Sequence, residues 1–215
     1  MKLSSKYWNI YYKKKIFKTK SSNFANFVFK NFINIKNKNI IDVGCGNGRD
    51  SFFFAKKNMS VSAIDSSIEA IKKNTLYNNI SKNKINFYCL TLEESFKYKF
   101  KNKFDYIYLR FFLHAIDKKN EKILFSFLKK NLKKNGLVFL EFRTINDDLF
   151  SKGKEMSKYE RYTDHYRRFI DINILQQEII KNNIFKIKYI QEKYGLSRTK
   201  TENPKLCRLI LKKII

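Results

Sequence analysis

The stretch that most constrains this chain runs from Asn39 to Asp65, NIIDVGCGNGRDSFFFAKKNMSVSAID. Asn39 to Val43 is short and rich in β-branched residues, the pattern of a strand buried in a parallel sheet. It runs into Gly44, Gly46 and Gly48, three of only six glycines in 215 residues. That concentration predicts a tight turn where backbone comes close to a ligand. Arg49 to Asn58 predicts a helix with Phe52, Phe53 and Ala55 turned to a sheet. Ser60 to Ile64 predicts a second strand, closed by Asp65, 21 residues on from Gly44. The loop N–H groups and the helix N-terminus favour a carboxylate or phosphate. An acid at the end of the next strand is placed to accept hydrogen bonds from ribose hydroxyls. The spacing is G-x-G-x-G with Asp42 two residues ahead, which departs from the G-x-G-x-x-G of dinucleotide sites.

The rest of the chain supports one globular domain over residues 1–215, with 43% hydrophobic residues for its core. A net charge of +27 invites a nucleic-acid reading. Only eight of the 46 basic residues are arginine, however, and the lysines spread over nearly every segment. A drift toward lysine would have replaced any arginine whose fork was dispensable, so the arginines are the informative cations. Three cysteines without a C-x-x-C, and two histidines, predict neither a disulfide framework nor a metal site. The basic, aromatic N-terminal segment has no apolar run of signal-peptide type, and no stretch reaches 18 apolar residues. A cytoplasmic protein without a membrane span is the expectation.

Along the chain, Lys6 to Lys20 within the N-terminal segment 1–20 reads as an amphipathic helix, a lid over a ligand, or aromatic cover for the core edge. Ser21 and Ser22 cap a helix through Ile33. Ser66 and Ser67 cap another to Asn79, with Ile68, Ile71 and Leu76 inward. Ile85 to Cys89 and Phe104 to Leu109 predict the third and fourth strands. Lys118 to Asn135 predicts a helix ended by Gly136, and Leu137 to Phe142 a fifth strand. Arg110 and His114 follow the fourth strand and Arg143 the fifth, the end of a doubly wound sheet that lines the ligand crevice. His114 is placed to serve as a general base. The polar insertion 144–168 ends in His165, Tyr166, Arg167 and Arg168 and predicts a substrate lid. Ile172 to Asn182 predicts the last helix, with strands at Phe185 to Glu192 and Cys207 to Ile214.

D-V-G-C-G-N-G followed by A-I-D resembles the cofactor motifs of class I S-adenosyl-L-methionine (SAM) methyltransferases, and the whole chain is similar to that family. The resemblance implies an α/β fold: a Rossmann-like, doubly wound, seven-stranded sheet with its last strand antiparallel. It implies SAM as cofactor, converted to S-adenosyl-L-homocysteine. The cofactor residues would be Asp42, Gly44, Cys45, Gly46, Asn47, Gly48, Arg49, Asp65, Ser66, Thr91, Leu92 and Arg110. His114 and Arg110 would be catalytic, and Arg143, His165, Tyr166, Arg167 and Arg168 would bind substrate. GCGNGRDS, RFFLHAI, EFRT and HYRRF are similar to methyltransferases found with bacterial surface-polysaccharide genes, which act on capsule phosphoramidate or glycan phosphate. The implied acceptor is therefore a small anion, clamped by guanidinium groups. The alternatives are an RNA methyltransferase, against which stands the lack of N/D-P-P-Y after the fourth strand, and a non-catalytic RNA-binding protein on a Rossmann-like scaffold. The intact glycine loop and Asp65 argue against the second.

Overall fold

The computed structural model describes residues 2–14, 20–34, 38–81, 84–199 and 202–215. Residues 15–19 of the basic aromatic segment lie outside them. Helices α1 (Lys2–Lys14) and α2 (Asn23–Phe32) precede strand β1 (Asn39–Val43). Then come α3 (Arg49–Lys56), β2 (Ser60–Asp65), α4 (Ile68–Ile80), β3 (Ile85–Cys89), α5 (Leu92–Lys97) and β4 (Phe104–Arg110). After α6 (Lys118–Asn131) and β5 (Leu132–Arg143), an insertion forms β6 (Lys154–Ser157), β7 (Glu160–Tyr162) and β8 (Tyr166–Arg168). The chain finishes with α7 (Ile172–Asn182), β9 (Phe185–Lys193) and β10 (Leu206–Lys213).

The main sheet has seven strands in the order β3–β2–β1–β4–β5–β10–β9. β1 pairs in parallel with β2 on one side and β4 on the other. β10 slots antiparallel between β5 and β9. This is the architecture expected. The order reverses at β1 and β4, and the crevice beyond their carboxyl ends is where such sheets bind ligands. Period-two alternation sorts the core onto two faces. Ile107 and Leu109 of β4 pack with Phe127, Leu140 and Leu209, whereas Tyr106 and Tyr108 pack with Phe24, Phe54 and Phe139.

Local chemistry sets the helix starts. Ser22 Oγ accepts from Ala25 N–H at 3.0 Å and Ser67 Oγ from Ala70 N–H at 3.2 Å, caps of the kind that contribute about 1 kcal/mol. Ser22 is also tied to Asp50 on α3 through both its N–H and its hydroxyl, with Tyr108 on the same carboxylate. The helix faces differ from expectation in three places. α3 buries Asp50, Phe52 and Phe54 rather than Phe53 and Ala55, because Asp50 must reach Ser22. α4 leaves Ile68 and Leu76 exposed and buries Asn74 and Asn78 beside Ile71. Asn78 replaces an apolar contact with two hydrogen bonds to the backbone of Ile85. α6 stops at Asn131, and Gly136 lies inside β5, where Asn135 at φ +64° absorbs the irregular pairing with β4. Among the described residues no helix is long and apolar enough to cross a membrane.

Candidate active site

β1 delivers Gly44, Gly46 and Gly48 to the crevice at φ of +72°, +52° and +68°, a left-handed geometry that glycine takes without strain. A Cβ on Gly44 would stand 2.4 Å from the Phe112 ring, and one on Gly46 2.2 Å from the Tyr12 hydroxyl. The loop's N–H groups form only part of the anion cradle expected. Gly44 and Cys45 donate to Ile64 O, Gly48 donates to Cys45 O, and Gly46 donates to Asp65 Oδ2. What remains for a ligand is Asn47 and the first turn of α3. Arg49 opens that turn; its charge reaches Tyr12, and it makes no hydrogen bond or ion pair among the described residues.

Asp65 is held by Ser67 N–H on Oδ1 (2.8 Å) and by Gly46 N–H on Oδ2 (2.9 Å). Burial raises its pKa, and the N–H groups of Ser67, Gly46 and Ser66 oppose that rise. Each oxygen keeps capacity for a further donor. Asp42 is nearly inaccessible and accepts from Ser51 Oγ at 2.6 Å, so it braces β1 against α3. Burial pushes its pKa up to about 8. Cys45 is buried beside Asn74, whose Nδ2 donates to Gly46 O at 2.8 Å while its buried Oδ1 has no hydrogen-bond partner among the described residues. Thr91 and Leu92 are otherwise engaged. The Thr91 hydroxyl exchanges hydrogen bonds with Glu94 to cap α5, and Leu92 lies in the core.

Beyond β4 the backbone turns sharply. Phe111 has φ +59°, a strained setting for an aromatic residue. Its N–H donates to Glu141 O at 2.8 Å, and the Arg110 guanidinium lies 4.1 Å from its ring centroid. After Phe112, which covers Gly44, a 3-10 turn from Leu113 to Ala115 carries His114. His114 is buried, and its Nδ1 accepts the Arg143 backbone N–H at 3.1 Å. An obligate donor on Nδ1 fixes the proton on Nε2. Burial, followed by the charges of Arg143, Arg167, His165 and Arg110, drives its pKa well below 6.5. With its lone pair engaged and its cation disfavoured, His114 is a neutral donor through Nε2–H, which corrects the general-base role expected.

The arginines need a similar correction. Arg110 donates to Glu141 (3.0 Å) and Ser197 (2.6 Å), and the other Glu141 oxygen takes Arg208 at 2.8 Å. Arg110 is thus one arm of a buried Arg–Glu–Arg triad. Arg143 gives one terminal nitrogen to both oxygens of Asp147 (2.9 and 3.0 Å) and the other to Glu202 (2.9 Å). Both terminal nitrogens of its fork are thus engaged by carboxylates, and Nε makes no hydrogen bond among the described residues. In the insertion, strand alternation separates the four substrate-binding candidates. Tyr166 donates to Glu160 at 2.6 Å, and Arg168 is buried against Ile116 O and Glu121, so both serve the scaffold. His165 and Arg167 lie within the electrostatic reach of His114. Arg167 uses one terminal nitrogen on Thr163 and Asp164, leaving Nε and the other terminal nitrogen without a partner among the described residues.

α1 completes the enclosure. Tyr12 lies over Gly46, and Tyr7 and Trp8 pack on His165 with ring centroids 4.7 and 5.1 Å away. Tyr7, Asn74, Phe111, Phe112 and Glu141 are the site residues that sequence reasoning missed. Two of these had a signal: Glu141 interrupts an apolar strand, and Asn74 sits three residues from Ile71, where the helical period calls for an apolar side chain.

A reversing parallel sheet with an antiparallel strand slotted in, a three-glycine turn and an acid ending the second strand define the class I SAM-dependent methyltransferase fold. The chain belongs to the methyltransferase-domain family, whose sequence profile matches residues 12–181, and it is an enzyme of that kind. Among solved structures it is similar to a SAM-dependent methyltransferase from Methanosarcina mazei (TM-score 0.73, 19% identity, covering 87% of this chain and 97% of that one). It is similar to a SAM-dependent methyltransferase from Clostridium acetobutylicum (TM-score 0.69, 14% identity, 100% and 98% covered). A third is magnesium protoporphyrin IX methyltransferase from Synechocystis with bound SAM (TM-score 0.67, 14% identity, 99% and 96% covered). At these identities the likeness carries the fold. No curated protein matches the chain.

Proposed function

We propose that this protein transfers a methyl group from SAM to a small anionic acceptor, a phosphate, phosphoramidate or sugar-linked intermediate of surface-polysaccharide assembly. The site residues fit the cofactor. Asp65 has capacity for two hydroxyl donors, as a ribose diol brings, and Arg49, which has no ion pair among the described residues, carries its guanidinium beside the loop, suited to a carboxylate. Bound SAM supplies a methyl already activated on a sulfonium, so the chain has to orient an acceptor and exclude water. Aligned positioning of that kind contributes about 7–11 kcal/mol.

The observation that carries the acceptor class is the edge of Arg167, whose Nε and second terminal nitrogen make no hydrogen bond among the described residues. A guanidinium edge of that kind suits a phosphate or carboxylate, and it lies near His114, whose protonation is disfavoured first by burial and then by the Arg143, Arg167 and Arg110 charges. Arg167 binds the acceptor through its uncommitted edge, and His114 donates through Nε2–H. With the His114 lone pair taken, a phosphate or phosphoramidate oxygen, which is nucleophilic without losing a proton, is favoured over a sugar hydroxyl, for which His165 would be the remaining base. α1 and the insertion enclose the crevice, which suits a small molecule better than a polymer.

The test is transfer of labelled methyl from SAM to two pools: total RNA, and a small-anion extract of nucleotide sugars and sugar phosphates. Label is expected in the small-anion pool and should fall at least about tenfold in Arg167→Gln, the loss of one charge-assisted contact pair. Label in RNA alone would put the acceptor among nucleic acids and overturn this reading.

A further inference from the structure

α1 touches both ends of the crevice through contacts separable by mutation. At one end it is anchored to α4. Lys73 Nζ donates to Tyr12 O (2.7 Å) and Lys13 O (2.9 Å), and Asn9 Oδ1 accepts from Ser67 Oγ (2.8 Å). At the other end the Tyr7 hydroxyl donates to Asp164 Oδ2 at 3.0 Å, across 157 residues of chain. The second Asp164 oxygen receives Arg167 at 2.7 Å and the Thr163 hydroxyl at 2.8 Å.

We propose that Tyr7 is a positioning residue for Arg167: by fixing the far oxygen of Asp164 it holds the near one in place to aim the guanidinium, so that docked α1 completes an anion subsite. The inference rests on the anionic-acceptor reading above. The Asp164 side chain is 60% exposed, and its Oδ2 is shared between the Tyr7 hydroxyl and His165 Nδ1, each at 3.0 Å. Because Tyr7 also stacks on the His165 ring, it orders both groups on Oδ2, and with Arg167 on Oδ1 the carboxylate is held in one orientation. The guanidinium it holds by one terminal nitrogen then presents its remaining edge in a single direction. The Tyr7 ring, stacked on His165, sets the hydroxyl's approach. His165 in turn packs on Trp8, the chain's single tryptophan. The junction therefore carries its own optical probe. Because α1 is anchored on α4 independently, removing one hydroxyl leaves the helix docked.

The experiment titrates inorganic phosphate into the protein loaded with S-adenosyl-L-homocysteine and reads Trp8 emission, for the parent, Tyr7→Phe and Arg167→Gln. Melting temperature and homocysteine-cofactor affinity are measured beside it. The parent should respond saturably. Tyr7→Phe should bind phosphate about fivefold more weakly, the scale of one charge-assisted hydrogen bond acting indirectly, with cofactor affinity and melting unchanged. Arg167→Gln should not respond. If Tyr7→Phe matches the parent while Arg167→Gln is silent, the positioning role is wrong and the anion subsite stands. Loss of both phosphate and cofactor affinity in Tyr7→Phe would make Tyr7 a docking residue only and overturn the inference. A parent without saturable response, or one unaffected by Arg167→Gln, removes the anion subsite and this inference with it.

Discussion

At Asp42 the missing water makes a proton harder to lose, and at His114 it makes one harder to gain. For Asp42 the folded value of about 8 lies above the ordinary 3.8. Between those values the folded state holds a proton that the unfolded state has released. Its contribution to stability is therefore full below the lower value and is lost as pH climbs toward the higher, by up to about 1.4 kcal/mol per pH unit. Urea unfolding at several pH values between 5 and 8 should show the parent losing stability faster than Asp42→Asn; parallel slopes would mean that another group carries the proton. His114 behaves oppositely. Its folded value is below 6.5, so its contribution is full above 6.5 and is lost as pH falls through that value. His114→Gln keeps a neutral acceptor for the Arg143 N–H, and turnover should stay within about tenfold of the parent, since removing a general base costs about 100-fold or more. A larger loss, with an acidic limb near neutrality in the parent's pH–rate profile, would restore the base.

At the scale of elements, the ends of β4, β5 and β10 are knotted together by Glu141. It is 1% exposed and holds Arg110 and Arg208, while Arg208 also reaches Leu196 O in the β9–β10 connection. Glu141→Gln leaves two guanidinium groups without a counter-charge and should cost about 3–5 kcal/mol of unfolding free energy. A chemical-denaturation midpoint equal to the parent's would show that solvent screens the triad. The strands themselves were legible in the sequence. β1 and β3 begin and end where β-branched and aromatic runs meet Gly44 and Leu90, and β2 ends on Asp65. The insertion was legible as a long polar segment after β5 but not as a three-stranded sheet. Its β8 alternation was there to be read, since Tyr166 and Arg168 must point away from Arg167. The pairing of arginines with carboxylates was not legible. Arg143 with Glu202 and Arg110 with Glu141 meet only through the folded sheet, and no local spacing encodes such a meeting.

Over the whole molecule, the charge excess and the site chemistry separate by residue type. Arg110, Arg143, Arg161, Arg167, Arg168 and Arg208 each face a carboxylate, most of them near the crevice. Many of the lysines lie on exposed helix and strand faces. The +27 surplus is thus a property of the exterior, and the crevice draws its polarity from a few groups, Arg49 and the edge of Arg167 that faces away from Asp164 among them. α1 closes over those groups from glycine loop to insertion, which ties the chain's first helix to a segment beyond β5.

The slot occupied by β10 also has a consequence in time. β10 follows every other strand of residues 1–215 in sequence, yet it lies inside the sheet, and among the described residues β9 pairs with the sheet only through it. Until residues 206–213 are made, β5 shows its Leu137–Phe142 run as an open edge, the kind of surface that recruits other chains. Pairings of such long sequence separation are also slow to form. Synthesis rate and crowding of nascent chains should therefore affect how much of this protein reaches its native sheet.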